Sequence, residues 1–175
     1  MNKIVGVKHT TIQNQNIEFD INLALKFEVD PKRLGGSRYI YLGDEATQMI
    51  EIEFPENSMI LCGFSVIIAK KFSKHKFSGI ASCFSGLPIF MEIDDSHCRG
   101  DYGSRHIDTY IDFYSFIGEN YIEIQIDGYH KFNKCIQYKD IEFLMLEDNL
   151  SGIRILNRTK SELELFIQHM TRYVE

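Results

Sequence analysis

An α+β fold dominated by antiparallel β-sheet, with one C-terminal helix packed on it, is the architecture this 175-residue sequence predicts. Three observations carry the prediction. Apolar and polar residues alternate through several stretches, turn-forming residues punctuate them, and one segment near the C-terminus changes to helical spacing behind a capping box. The alternative arrangement is a sandwich of two related sheet halves.

The longest alternation is Ile17, Phe19, Ile21, Leu23, Leu25, Phe27 and Val29, interleaved with mostly polar residues. Spacing of two places all seven on one face of an extended chain, whereas a helix would scatter them around its circumference. The reading is a strand with one face on a core and the other in water, the habit of antiparallel sheets. Ile50, Ile52 and Phe54 repeat the pattern against Glu51 and Glu53. Ile107, Thr109, Ile111 and Phe113 repeat it against His106, Asp108, Tyr110 and Asp112, and Ile122, Ile124 and Ile126 against Glu123 and Gln125. Residues 59–69 and 141–146 are more uniformly apolar and read as central strands. Turns are expected at Pro55-Glu56-Asn57, Asp127-Gly128 and Asn149-Leu150-Ser151-Gly152. Thr159-Lys160-Ser161-Glu162 fits a capping box, and Leu163, Phe166, Ile167, Met170 and Val174 follow it at helical spacing. A helix over 160–174 is the result.

The length fits one domain, residues 1–175, able to bury a core without staples. Within it the sequence echoes itself. FEVD at 27–30 returns as MEID at 91–94, GSRYI at 36–40 as GSRHI at 103–107, and MIEIEF at 49–54 as YIEIQI at 121–126. The order is conserved between the copies, which points to an internal duplication over about 15–75 and 80–150.

A formal charge of −6 disfavours nucleic acid as the main partner and favours a basic protein. The N-terminal MNKIVGVKHTTI lacks an apolar core with a small-residue cleavage site, and no apolar run is long enough to cross a bilayer as a helix. These features, with widely spaced Cys62, Cys83, Cys98 and Cys135, predict a cytoplasmic protein with reduced thiols and no membrane partner.

The segment EIDDSHCRGDYGSRHID, residues 92–108, is the densest in chemistry. His106 and Asp108 share a strand face at i, i+2, a usable pair for a metal, with Asp94, Asp95 or Asp101 as a further oxygen ligand. No recognised metal spacing supports this, however. Asp108 or Asp112 with Glu123 offers a loose carboxylate arrangement for Mg²⁺. Nucleophile elbow, Walker loop and dinucleotide fingerprint are all missing, so no catalytic residue and no cofactor is expected. The lysine-rich AKKFSKHKF at 69–77 reads as a strand edge or hairpin tip.

What remains is a surface. Asp95, Asp101, Tyr102, Asp108, Tyr110, Asp112 and Tyr114 make an acidic, tyrosine-bearing set suited to binding a basic protein, since Tyr gives contact area at low entropy cost and Asp steers. The expectation is a non-catalytic binding or inhibitory protein, similar in general character to small acidic bacterial immunity proteins that cover a toxin. The rival expectation is a metal- or ligand-binding enzyme using the cluster at 94–112.

Overall fold

A computed structural model describes residues 3–11, 15–20, 23–30, 35–44, 48–69, 71, 73, 76, 82–92, 105–109, 111–126 and 132–172, with 68, 69 and 105–109 as backbone. The strands are β1 (Ile4–Lys8), β2 (Gln15–Glu18), β3 (Leu25–Val29), β4 (Ser37–Gly43), β5 (Gln48–Pro55), β6 (Gly63–Ala69) and β7 (Cys83–Ser85). They continue as β8 (Leu87–Phe90), β9 (Arg105–Thr109), β10 (Phe113–Ile117), β11 (Ile122–Ile126), β12 (Lys134–Tyr138), β13 (Ile141–Leu146) and β14 (Asn149–Ile155), and helix α1 (Lys160–Thr171) follows. Antiparallel sheet with one C-terminal helix packed on it is therefore the architecture.

Two six-stranded sheets form, in the orders β2-β3-β6-β5-β4-β9 and β10-β11-β14-β13-β12-β7, with a separate β1–β8 ribbon. The orders are the same topology twice. In each sheet five successive strands lie first, second, fifth, fourth, third, all antiparallel. A sixth strand then joins the third in parallel: β9 beside β4, and β7 beside β12. The two five-stranded sets run from Gln15 to Ala69 and from Phe113 to Ile155.

The sequence echo does not follow this topological correspondence. In strand order β4 corresponds to β12, yet its GSR block is matched in β9, its neighbour, with Arg38 opposite Arg105 and Ile40 opposite Ile107. The blocks containing β5 and β11 lie in different sheets. Alternating Ile and Glu is what any half-buried strand needs, so such likeness tracks faces rather than positions.

The inner faces of the sheets meet in one apolar cluster. Phe27 contacts Phe64 at 5.3 Å between ring centroids and Tyr138, across the sheets, at 6.2 Å. Phe64 contacts Phe143 at 6.4 Å, edge to face. Edge-on aromatic pairs such as these gain from ring electrostatics as well as area. The expected central strands hold: β6 lies between β3 and β5, and β13 between β12 and β14.

Three boundaries differ from the sequence reading. The run 17–29 is a hairpin, because the chain turns after Asp20, whose N–H donates to Leu23 O, and Ile17 comes to lie opposite Phe27. Both arms keep the same parity, so the alternation survives the turn. The run 107–113 is split between β9 and β10, which lie in different sheets. The turn expected at 149–152 falls at Glu147-Asp148, with Glu147 at φ 55°, and β14 begins at Asn149. The expected turn at 127–128 lies outside the described residues.

Helix α1 forms as its capping box dictates. Thr159 Oγ1 accepts from Glu162 N, and Glu162 Oε2 accepts from Thr159 N at 2.8 Å. Leu163, Phe166 and Met170 join the core, and His169 Nε2 lies 2.8 Å from Ile67 O. Ile67 lies one residue past the Leu25–Val66 pair that ends the β3–β6 pairing. The Arg158 guanidinium ties the helix start to the β12–β13 turn through Asp140 Oδ2 at 3.2 Å.

The expectation of reduced thiols fails for one pair. Cys83 and Cys135 are register partners on β7 and β12, and their sulfurs are bonded. Parallel pairing sets them side by side, an adjacency that a separation of 52 residues hides. Closing a loop of that size contributes about 4 kcal/mol in the chain-entropy account. Cys62 is a buried free thiol whose Sγ lies 3.2 Å from Glu53 O, and Cys98 lies outside the described residues.

The outer face of the second sheet is closed by charge pairing. Arg154 on β14 donates from Nε to Glu123 Oε2 on β11 and from Nη1 to Glu142 Oε2 on β13, both at 2.9 Å. The rings of Tyr121 and Phe132 lie 5.7 and 5.5 Å from the guanidinium carbon. Glu123 is fully buried and Glu142 nearly so. Removing the cation strands two buried carboxylates, so Arg154→Met should cost about 3–5 kcal/mol in chemical denaturation. A loss below about 1 kcal/mol would mean that the carboxylates do not depend on Arg154.

Candidate functional site

The first sheet presents the opposite design. Its strand register aligns outward residues of β2 to β6 in two rows that continue to register positions on β9. One row runs Glu18, Lys26, Ser65, Glu51, Tyr41 and the Asp108 position. The other runs Asn16, Glu28, Gly63, Glu53, Tyr39 and the His106 position. Five carboxylate positions stand against Lys26 and one His. The alternation along β3 and β5, buried then half-buried, is what lifts these side chains out of the core.

Local contacts fix several of them. Lys26 Nζ pairs with Glu28 Oε1 at 2.9 Å. Its ammonium is held above the usual lysine range, first by that hydrogen bond and then by the pull of Glu53 and Glu18, against some desolvation. Ser37 Oγ donates to Glu53 Oε1 at 2.6 Å. The rings of Tyr39 and Tyr41 stack at 6.5 Å along β4. In these two rows β6 carries Gly63 and Ser65 between β3 and β5, which leaves a shallow trough there. A Cβ on Gly63 would come within 2.9 Å of Phe27 O, so the trough floor is set by backbone approach. At one end Glu28, Asp30, Ser37 and Glu53 surround a polar hollow of about 140 Å³.

The residues expected from sequence divide between places. Asp95, Asp101, Tyr102 and Tyr110 lie outside the described residues. Asp108 belongs to β9, in register with Tyr41, and His106 with Tyr39. Asp112 lies before β10, where its Oδ1 accepts from Gln48 Nε2 at 2.6 Å and from Lys71 Nζ at 2.7 Å. Gln48 Oε1 in turn accepts from Phe113 N at 2.7 Å, so one buried glutamine clamps the crossing between the sheets. Tyr114 is on β10, in the second sheet, with Lys71 Nζ 5.8 Å from its ring centroid. Asp112 and Tyr114 are thus together, while Asp108 belongs to the other sheet. Lys71 and Ser73 run along the β10 edge, with Ser115 N donating to Lys71 O and Ser73 N to Ser115 O. The rest of the lysine stretch, apart from Ala69 and Lys76, lies outside the described residues.

The Mg²⁺-type pairing of Asp112 with Glu123 is not formed. Glu123 is opposite Phe116, four residues along the strand from Asp112, or about 13 Å, and is engaged by Arg154. Among the described residues, the grouping with metal-ligating side chains is Cys83, Cys135 and Glu142, and its two sulfurs are bonded to each other. Sequence reasoning missed Tyr39, Tyr41, Glu28, Glu51 and Glu53 as one surface. The spacing of two was visible in each strand, but the register that aligns three strands was not.

Lys71 and Gln48 hold the Asp112 carboxyl below its usual range, and Asp112 holds the Lys71 ammonium above its own. The lowered carboxyl stabilises the fold above about pH 4, and this is lost as pH falls through its depressed value. Asp112→Asn should therefore lower urea stability slightly at pH 7, and the loss should shrink as pH falls below about 4; a loss that does not shrink with acidification would contradict the pairing. Comparison with models of protein families and with curated proteins finds no match, so the reading of these surfaces rests on their own chemistry.

Proposed function

We propose that this protein is a non-catalytic binding protein whose acidic, tyrosine-bearing sheet face covers a basic protein partner, as an immunity protein covers a toxin. One observation supports the reading above the others. Glu18, Glu28, Glu51, Glu53 and the Asp108 position share one sheet face with Tyr39 and Tyr41, and Lys26 is the lysine among them. A field of one sign speeds encounter with an oppositely charged surface, and stacked tyrosines supply rigid contact area once there. The trough over Gly63 and Ser65 would receive a protruding basic side chain beside Glu51 and Glu53 of β5. Inhibition would follow from occlusion of the partner's own site.

The test is to seek a basic protein encoded beside this reading frame and to titrate it against the chain. Affinity should fall steeply between 50 and 300 mM salt, about tenfold or more, because screening weakens steering and pairing together. The charge reversals Glu51→Lys and Glu53→Lys should weaken binding at least tenfold while leaving thermal unfolding within a few degrees of the parent. No complex at low salt, or a complex indifferent to both reversals, would remove the proposal.

A further inference from the structure

A second concave surface, remote in character from the acidic face, lies where β1 departs from the second sheet. Ile4 N donates to Asp148 O, and Lys3 bridges to Asn149. Beyond that point β1 turns to pair with β8 and leaves a groove of about 390 Å³ between itself and the inner edge of β7, β12 and β13. Small-molecule sites have volumes of about 300–1,000 Å³. The groove wall is apolar, with Ile4, Val7, Ile136 and Met145 reaching in from the core. Its lip is apolar as well: Val5 is 58% exposed and Phe84 50%.

Backbone irregularity shapes this opening. The β1–β8 register shifts between Ile4 and Gly6, so Val5 is the extra residue of a bulge. Bulges re-aim side chains, and they recur beside binding sites. Gly6 then contributes no side chain to the wall.

The polar groups at the mouth have a definite sign. Lys134 pairs with Asp148 at 3.2 Å. Lys3, also lining the groove, has no carboxylate partner among the described residues. The mouth is thus a cation beside a neutralised pair, on a chain of formal charge −6. An apolar trench with a lone ammonium at its entrance is complementary to a molecule with an aliphatic body and one anionic head.

We propose that this groove binds a free aliphatic carboxylate, the chain lying on Ile136, Met145 and Phe84 and the carboxylate meeting Lys3. The inference is independent of the acidic face. An alkyl chain gains from leaving water for such a wall, and the head keeps its charge by meeting an ammonium at the rim rather than being buried. A quaternary ammonium of the same length would meet repulsion from Lys3, and a carboxylate too short to cover the wall would gain too little.

The experiment is NMR titration of the intact chain with decanoate, below its micelle concentration, following the Met145 methyl and the Phe84 ring. One saturable site with shifts at both is expected. Lys3→Glu and Phe84→Ser, both at exposed positions, should each weaken binding at least tenfold without altering thermal unfolding. Decyltrimethylammonium should bind at least tenfold more weakly than decanoate. Phosphatidylglycerol vesicles are the control for a lipid-surface source of the same chemistry. Absence of saturable shifts at Met145, equal affinity for the cationic chain, indifference to Lys3→Glu, or binding to vesicles alone would each overturn the proposal.

Discussion

Strict alternation of side chains along extended backbone is the constraint on which the rest of this molecule depends. Every second residue of β3 and β5 is buried against the opposing sheet, and every other one is turned outward. Since the side-chain period is two, a slip of one residue in any of these strands would bring glutamates into the core and phenylalanines into water. Burial of Phe27, Phe54, Phe64 and Phe143 holds the register. The register then decides which carboxylates stand together. The acidic face is a consequence of core packing read out on the other side of the sheet.

The two sheets share a strand order but treat their outer faces differently. In the second, Arg154 spans two strands to reach Glu123 and Glu142, and aromatic rings flank the guanidinium. Both carboxylates there are paired with one guanidinium and withdrawn from solvent, an arrangement that specifies geometry at some cost in desolvation. In the first, carboxylates outnumber the lysine beside them and remain partly exposed. The register sets each glutamate opposite Lys26, Ser65, Gly63 or a tyrosine rather than opposite another carboxylate, so the face carries its excess of one sign without direct like-charge pairs. The presence of that excess on one face and its absence from the other fits a surface kept for a partner.

Much of this was legible in the sequence, for physical reasons that also mark where legibility ended. Strand periodicity and the Thr159–Glu162 capping box are local, and both appear where spacing places them. The hairpin within 17–29 was hidden because the stretch 19–25 between the paired Glu18 and Lys26 holds an odd number of residues, which preserves parity, so hydrophobic alternation does not register it. The pairing of β4 with β9 was hidden by its parallel sense, which needs a long connection and leaves no turn signature. The same holds for β7 and β12, and with them the Cys83–Cys135 bond. Asp112 and Tyr114 were read as outward residues of one acidic, tyrosine-bearing patch with Asp108. That Lys71 would come to meet them was not legible, since it reaches the β10 edge from a segment 41 residues before Asp112.

Carboxylate footprinting of the free chain, by carbodiimide coupling and mass spectrometry at neutral pH, tests the contrast between the two outer faces most directly. The structure predicts ready labelling of Glu18, Glu28, Glu51 and Glu53, with Glu123 and Glu142 protected until the chain unfolds. Labelling of Glu123 and Glu142 at the same rate as Glu51 and Glu53 in the folded protein would contradict it.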